Sequence, residues 1–242
     1  MIIKTSLSAV VLLAFALPSS AMANIVINGT RVIYNGGEKE ATVKLTDVGK
    51  SPMLVQSWID TGDANAKPET IQVPFILTPP VNRIEPGKSQ TLRLAYTHMP
   101  ELPEDRESCL WLNVLEVPPT PADGKVKNYL QMAFRTRIKL FYRPAILGGS
   151  ENEIEASKNV KWSVAGNKLH AVNASAFYVS LSSVTVELNG HKVKLDADMV
   201  DPKGARDFSF KSSDAGVMKS GAKLAYQYVN DWGAIQTVNT TL

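Results

Sequence analysis

Apolar and polar residues alternate along most of this chain with a period of two, the pattern of strands that bury one face. From residue 25 the runs are IVINGTRVIY (25–34), ATVKLT (41–46), MLVQSWI (53–59), TIQVPFIL (70–77), SQTLRLAY (89–96) and CLWLNVLEV (109–117). Turn formers separate them: Asn35-Gly36-Gly37, Asp47 to Pro52, Thr61-Gly62-Asp63, Pro79-Pro80 and Glu85-Pro86-Gly87. The longest run is LQMAFRTRIKLFYRP (130–144). One face carries Leu130, Met132, Phe134, Thr136, Ile138, Leu140 and Tyr142; the other carries Gln131, Ala133, Arg135, Arg137, Lys139, Phe141 and Arg143. That is more than twice the usual strand of about 5–6 residues, a length that sheet formation alone does not explain.

After Pro144 the texture changes. Gly148-Gly149-Ser150 and the polar ENEIEAS read as a hinge, and strands then resume. They are VKWSV (160–164), LHAV (169–172), FYVSLSSVTVEL (177–188), HKVKLDA (191–197), ARDFSF (205–210) and KLAYQYVN (223–230). Each half thus holds about seven strands with no amphipathic helix of useful length, as antiparallel immunoglobulin-type sandwiches do. The expected fold is all-β: two immunoglobulin-like sandwiches, residues 24–144 and 145–242, joined by a short hinge.

The N-terminus changes the compartment. Lys4 precedes the apolar run from Leu7 to Leu17, which is short of the about 20 residues that span a bilayer. Ala21-Met22-Ala23 has the small-x-small form of a signal-peptidase site, so residues 1–23 are expected to be a cleaved signal peptide. No other stretch is long and apolar enough to span a membrane, and no stable membrane insertion is expected. Removing the leader leaves 219 residues (242 less 23) and a formal charge of +2, because Lys4 goes and no acid does. Near neutrality gives no case for nucleic acid as a partner. The charge is nevertheless uneven: between Gly124 and Ser150 stand Lys125, Lys127, Arg135, Arg137, Lys139 and Arg143, with no acid. Such a local field suits an anionic partner. With Cys109 as the only cysteine there is no internal disulfide, so each domain must be held by its core. Cys109 itself reads as a small buried hydrophobe.

Motifs for catalysis are missing. Pro86-Gly87-Lys88-Ser89 ends like a phosphate-binding loop, but Asn82 stands where its first glycine is needed. His98, His170 and His191 lack metal-ligand spacing, and no GxSxG occurs. No enzyme activity, cofactor or metal is expected. Asn28-Gly29-Thr30, Asn173-Ala174-Ser175 and Asn239-Thr240-Thr241 are glycosylation sequons, relevant only in a eukaryotic secretory pathway.

LPEDRESCLWLNVLEVPP (102–119) followed by AFRTRIKLFYRP (133–144) resembles the periplasmic chaperones of the chaperone–usher pilus pathway. Thr30-Arg31, PFILTPPVNRIEPG (74–87) and YQYVNDWG (226–233) extend the resemblance over most of the chain, while Cys109 replaces the usual aliphatic residue. The resemblance implies two sandwiches in an L- or boomerang-shaped arrangement, a periplasmic location, and pilus or fimbrial subunits and an outer-membrane usher as partners. Its subunits are incomplete sandwiches whose missing strand the chaperone lends, a mode established for chaperone–pilin pairs. By position Leu130, Met132 and Phe134 would fill the subunit's groove. At about 1.5–3 kcal/mol for each buried side chain, the three would supply several kcal/mol. Thr136 to Tyr142 would complete the protein's own sheet.

The resemblance further implies that Arg31 and Lys139 hold the subunit's C-terminal carboxylate by charge-assisted hydrogen bonds. Glu107, Arg143 and Asp231 match the charged network between the domains, which would fix the cleft angle. Pro52, Leu54 and Val81 match the usher-facing surface. Arg135 and Arg137 read as solvent-facing charges. The short PPTPADGKVKN before Tyr129 and the single cysteine match the short-loop branch, and the composition of that loop suggests mobility when no subunit is bound. An exposed apolar strand also invites self-association of the free protein.

Two other classes compete. An immunoglobulin-like fimbrial structural subunit would carry an N-terminal donor segment and often a disulfide; this chain enters a strand directly and cannot form one. A periplasmic sugar-binding module needs clustered exposed aromatics, whereas Trp58, Trp111, Trp162 and Trp232 are scattered at positions that suit cores.

Overall fold

The structure, a computed structural model, describes residues 24–120, 130–166, 168–188, 191–210 and 221–242. The expected signal peptide and the loop at 121–129 lie outside the described residues.

Two hydrophobic cores organise the chain. The first lies between two sheets. One has the order β1 (Ile25–Ile27), β3 (Ala41–Asp47), β7 (Ser89–Tyr96), β5 (Phe75–Thr78). The other runs β2 (Arg31–Asn35), β9 (Phe134–Arg143), β8 (Ser108–Val117), β4 (Met53–Asp60), β6 (Val81–Ile84). Alternate residues supply the core: Met53, Val55 and Ile59 from β4, Leu110, Leu112 and Val114 from β8, Ile138, Leu140 and Tyr142 from β9. The buried Glu116 of β8 accepts the amide of Ile25 at 2.8 Å, tying one sheet to the other.

IVINGTRVIY is not one strand. β1 pairs antiparallel with β3, whereas β2 lies parallel to β9 in the opposite sheet. Gly29 makes the switch at φ +126°, where a β-carbon would lie only 3.3 Å from the Arg31 carbonyl oxygen, a conformation suited to glycine.

The stretch 130–144 is also shorter as a strand than its alternation suggests. β9 begins at Phe134, because the ladder with β8 ends at the Glu116–Phe134 pair and Pro118-Pro119 follow. Prolines carry no amide to continue the ladder, so Leu130 to Ala133 have no strand partner among the described residues.

Residues 70–77 likewise shorten to β5, after a 3₁₀ turn at Pro68–Thr70. β6 is a strand the alternation did not reveal.

The second core lies between β10 (Lys161–Ala165), β11 (Lys168–Asn173) and β15 (Gly204–Ser209) on one side and a larger sheet on the other. That sheet has the order β13 (His191–Leu195), β12 (Val179–Leu188), β16 (Lys223–Val229), β17 (Ile235–Thr241), with β14 (Met199–Val200) also on β12. β14 is two residues long and β17 is mostly polar, so the apolar alternation predicts neither. The hinge is not free of helix: α1 spans Ser150–Lys158. Its buried residues are Glu153 and Ser157, both polar, so hydrophobic periodicity could not reveal it. Among the described residues, no helix is long and apolar enough to cross a membrane.

Candidate functional site

β9 leads from the first domain into the second, and its odd-numbered residues turn from solvent to interface along the way. Arg135 is exposed, Lys139 is half-buried, and Phe141 and Arg143 are buried. The Phe141 ring lies 5.6 Å from that of Tyr178, which belongs to the second domain. Arg143 donates from Nε to Glu107 Oε1 at 2.8 Å, and from Nη1 and Nη2 to the two oxygens of Asp231 at 2.7 and 2.8 Å. Its guanidinium stacks on Phe177 at 5.1 Å. The other oxygen of Glu107 accepts the amide of Tyr178 at 2.8 Å. Glu107, Arg143 and Asp231 thus form one closed set spanning both domains. Burial opposes the charge on Arg143, but its hydrogen bonds to Asp231 and the field of Glu107 outweigh it and hold its pKa above the ordinary arginine value.

Arg31 and Lys139 are register partners in the parallel β2–β9 ladder, which sets them side by side on one face. Arg31 crosses to the second domain, donating from Nη1 to the Val229 carbonyl at 2.7 Å, while its buried Nε has no partner among the described residues. Lys139 makes no side-chain hydrogen bond or ion pair there; its ammonium lies 5.7 Å from the Trp111 ring centroid, a cation–π distance. Burial lowers the pKa of both, and for Lys139 the neighbouring Arg31 lowers it further. Two partly desolvated cations with unused donors thus stand side by side, the kind of groups that can make charge-assisted hydrogen bonds to an anion such as a carboxylate.

The parallel ladder covers only Lys139–Arg143. From Phe134 to Ile138, β9 is therefore paired with β8 alone among the described residues, and none of them pairs with the backbone groups of its other edge. Just before that edge lie Leu130, Met132 and Phe134, which are 85%, 53% and 49% exposed. Exposed apolar residues, an open edge and a pair of cations thus follow one another from Leu130 to Lys139.

Arg137 is not a solvent-facing charge. It donates from Nε and Nη2 to the two oxygens of the buried Asp60, at 3.0 and 2.5 Å, and stacks on Trp111 at 4.1 Å. Asn113 supplies a further bond to Asp60 at 2.7 Å. Burial pushes the Asp60 carboxyl up, but the bonds from Arg137, Asn113 and Gly62 outweigh it and hold it below the usual carboxylate range. Arg135, though exposed, lies 5.4 Å over Trp58 and donates to the Ala64 carbonyl. Trp58 and Trp111 are therefore not core residues but supports for this cationic face; Trp232 is exposed and only Trp162 packs on a core. Strand parity carried the signal: Trp58 lies out of phase with Val55 and Ile59, and Trp111 with Leu110 and Leu112. Asp60, missed entirely, falls at the end of an otherwise apolar strand.

Leu54 and Val81 lie exposed on the outer face of the edge pair β4–β6, opposite Arg83 and Gln56 respectively. Pro52 and Leu54 line a shallow cleft with Arg83, Val117 and Pro118-Pro119, and Gln131 borders the same cleft. Cys109 is free and half-buried, and its thiol is pushed up to about 12, chiefly by burial.

Comparison with known proteins gives the family. Residues 24–148 match the family model described as "Pili and flagellar-assembly chaperone, PapD N-terminal domain", and residues 155–240 match "Pili assembly chaperone PapD, C-terminal domain". The probable fimbrial chaperone YadV of Escherichia coli is 45% identical over 98% of this chain and 97% of its own. The chaperone protein FimB/FhaD of Bordetella pertussis is 42% identical over 91% of this chain and 88% of its own. Among solved structures, the CupB2 chaperone of Pseudomonas aeruginosa superposes with a TM-score of 0.76 at 34% identity, covering 90% of this chain and 100% of that one. The SafB chaperone of Salmonella enterica, solved in complex with the SafA pilin, has a TM-score of 0.74 at 26% identity, over 93% and 99%. By both halves of its sequence and by its fold, this chain belongs to the family of pilus-assembly chaperones.

Proposed function

We propose that this protein is a periplasmic chaperone that captures pilus subunits by lending them the edge of β9 and then delivers them to an outer-membrane usher. The observation that carries the reading is the order of features along β9: an apolar segment, an open edge, and paired cations where the edge closes. An incomplete sandwich has a hydrophobic groove and an unpaired sheet edge; Leu130, Met132 and Phe134 match the first and the open backbone of Phe134 to Ile138 the second. Arg31 and Lys139 take the guest's C-terminal carboxylate. That contact sets the register, and a slip by one residue would turn the apolar side chains away from the groove. Main-chain pairing is indifferent to sequence, so one chaperone serves several subunits. Glu107, Arg143 and Asp231 keep the domains at the angle the anchor needs, and Pro52, Leu54 and Val81 face the usher. Residues 1–23 direct export and are removed. The activity is binding and release rather than catalysis.

The test is to co-express the tagged chain with a pilus subunit and purify it from the periplasm. An equimolar complex is expected; a clean monomer in the presence of soluble subunit contradicts the reading.

A further inference from the structure

Glu153 is a buried carboxylate that neither the anchor nor the interdomain network uses. It is 4% exposed. Its Oε1 accepts the Ser157 hydroxyl at 2.9 Å, and its Oε2 has no partner among the described residues. The helix turn that carries it is held in place by Tyr226, whose hydroxyl donates to the Ser157 carbonyl at 2.9 Å. The titratable groups that act on it come from every neighbouring element: Arg31 of β2, Glu107 ahead of β8, Arg143 of β9, Tyr228 of β16 and Asp231 in the β16–β17 turn. Of the charges that act on Arg31, that of Glu153 is the largest, ahead of Asp231. The two residues are also alike in what they leave unused, a buried carboxylate oxygen on Glu153 and a buried Nε on Arg31.

We propose that Glu153 is the titratable counter-charge of Arg31, so that capture of a carboxylate at Arg31 and Lys139 draws a proton onto Glu153. The inference rests on the carboxylate-anchor reading above. Burial, with Asp231 adding to it, raises the Glu153 carboxyl to about 7, so near neutral pH it is only partly ionised. While ionised it offsets part of the positive field of Arg31. A carboxylate arriving at Arg31 adds a second negative charge and raises the Glu153 pKa further. Coupling between the two events is reciprocal, so protonation of Glu153 strengthens carboxylate capture by the same factor. A rise of one pKa unit corresponds to a limiting factor of about ten, of which roughly fivefold falls between pH 6 and pH 8.

Two measurements test this. The first needs no ligand: the carboxyl carbon of Glu153 is titrated by NMR in the intact protein and in Arg31→Gln. A midpoint near 7 that moves upward in the variant is expected; a midpoint in the ordinary carboxylate range, or one indifferent to Arg31, overturns the inference. The second measures affinity at pH 6 and pH 8 for a synthetic peptide of a pilus subunit's C-terminal strand, as free carboxylate and as amide. The free carboxylate should bind about fivefold more weakly at pH 8, and Glu153→Gln should remove that dependence. Equal affinity of carboxylate and amide, or no binding, overturns the anchor itself. A carboxylate preference with the same pH response in both proteins overturns only the coupling.

Discussion

Arg31 and Lys139 are register partners on adjacent parallel strands, and no ion pair joins either to a carboxylate among the described residues. Like charges side by side and partly desolvated cost stability. A fold that keeps them so is what the proposed carboxylate anchor requires. Lys139→Ala is therefore expected to fold and to melt no lower than the native protein. Asp231→Ala leaves Arg143 buried with half its partners removed, at a cost of about 3–5 kcal/mol. Thermal melting of the two variants checks the ranking, and the reverse order contradicts it.

The Arg137–Asp60 pair gives a second stability prediction. Arg137→Ala uncovers a buried carboxylate and is expected to cost about 3 kcal/mol. Asp60→Asn with Arg137→Gln, which removes both charges, should cost less than Arg137→Ala alone. Because the Asp60 pKa is lowered, the pair's contribution is present above the usual carboxylate range and lost as pH falls through it. Urea denaturation of single and double variants at neutral pH measures the difference.

Stability should also fall on the alkaline side of that range. Glu153 binds its proton more tightly folded, with a pKa of about 7, than unfolded, where the usual carboxylate value applies. Its contribution is full below the unfolded pKa and is lost as pH rises toward 7, for a total of about 3 kcal/mol. Glu153→Gln should flatten this slope and exceed the native protein in stability at pH 8. A denaturation series from pH 5 to pH 8 reads it directly.

The exposed apolar segment predicts behaviour of the free protein. Replacing Leu130 and Met132 by Ser removes little native packing, so the melting temperature should stay within about a degree or two, as surface changes do. Self-association at high concentration should diminish, and subunit recovery should drop. Light scattering and periplasmic co-purification measure the two effects.

Much of this was legible in the sequence because sheet cores follow a period of two. Leu110, Leu112 and Val114, or Ile138, Leu140 and Tyr142, declare one buried face directly. The split at Gly29 was not legible, since both halves of IVINGTRVIY alternate equally well whichever sheet they join. Neither was the start of β9: alternation continues through Leu130 and Met132, and only the prolines after β8 show that its partner has ended. α1 buries Glu153 and Ser157, so it shows no apolar stripe. At the site, alternation grouped Lys139 with Arg135 and Arg137 as one basic face. Three different environments separate them: a stacked exposed guanidinium, an ion pair on a buried acid, and a cation with no ion-pair partner among the described residues. Asp60 and the tryptophan stacks that make this difference come from other strands, and strand pairing is what a single run cannot report.

The most direct test of the account is amide hydrogen exchange along β9 in the free chaperone and in its complex with a pilus subunit. The outward amides between Phe134 and Ile138 should exchange readily when free and become protected on binding, with β5 unchanged as the internal control. In Lys139→Ala this protection should weaken. A stable complex in which those amides remain unprotected would contradict strand lending at this edge.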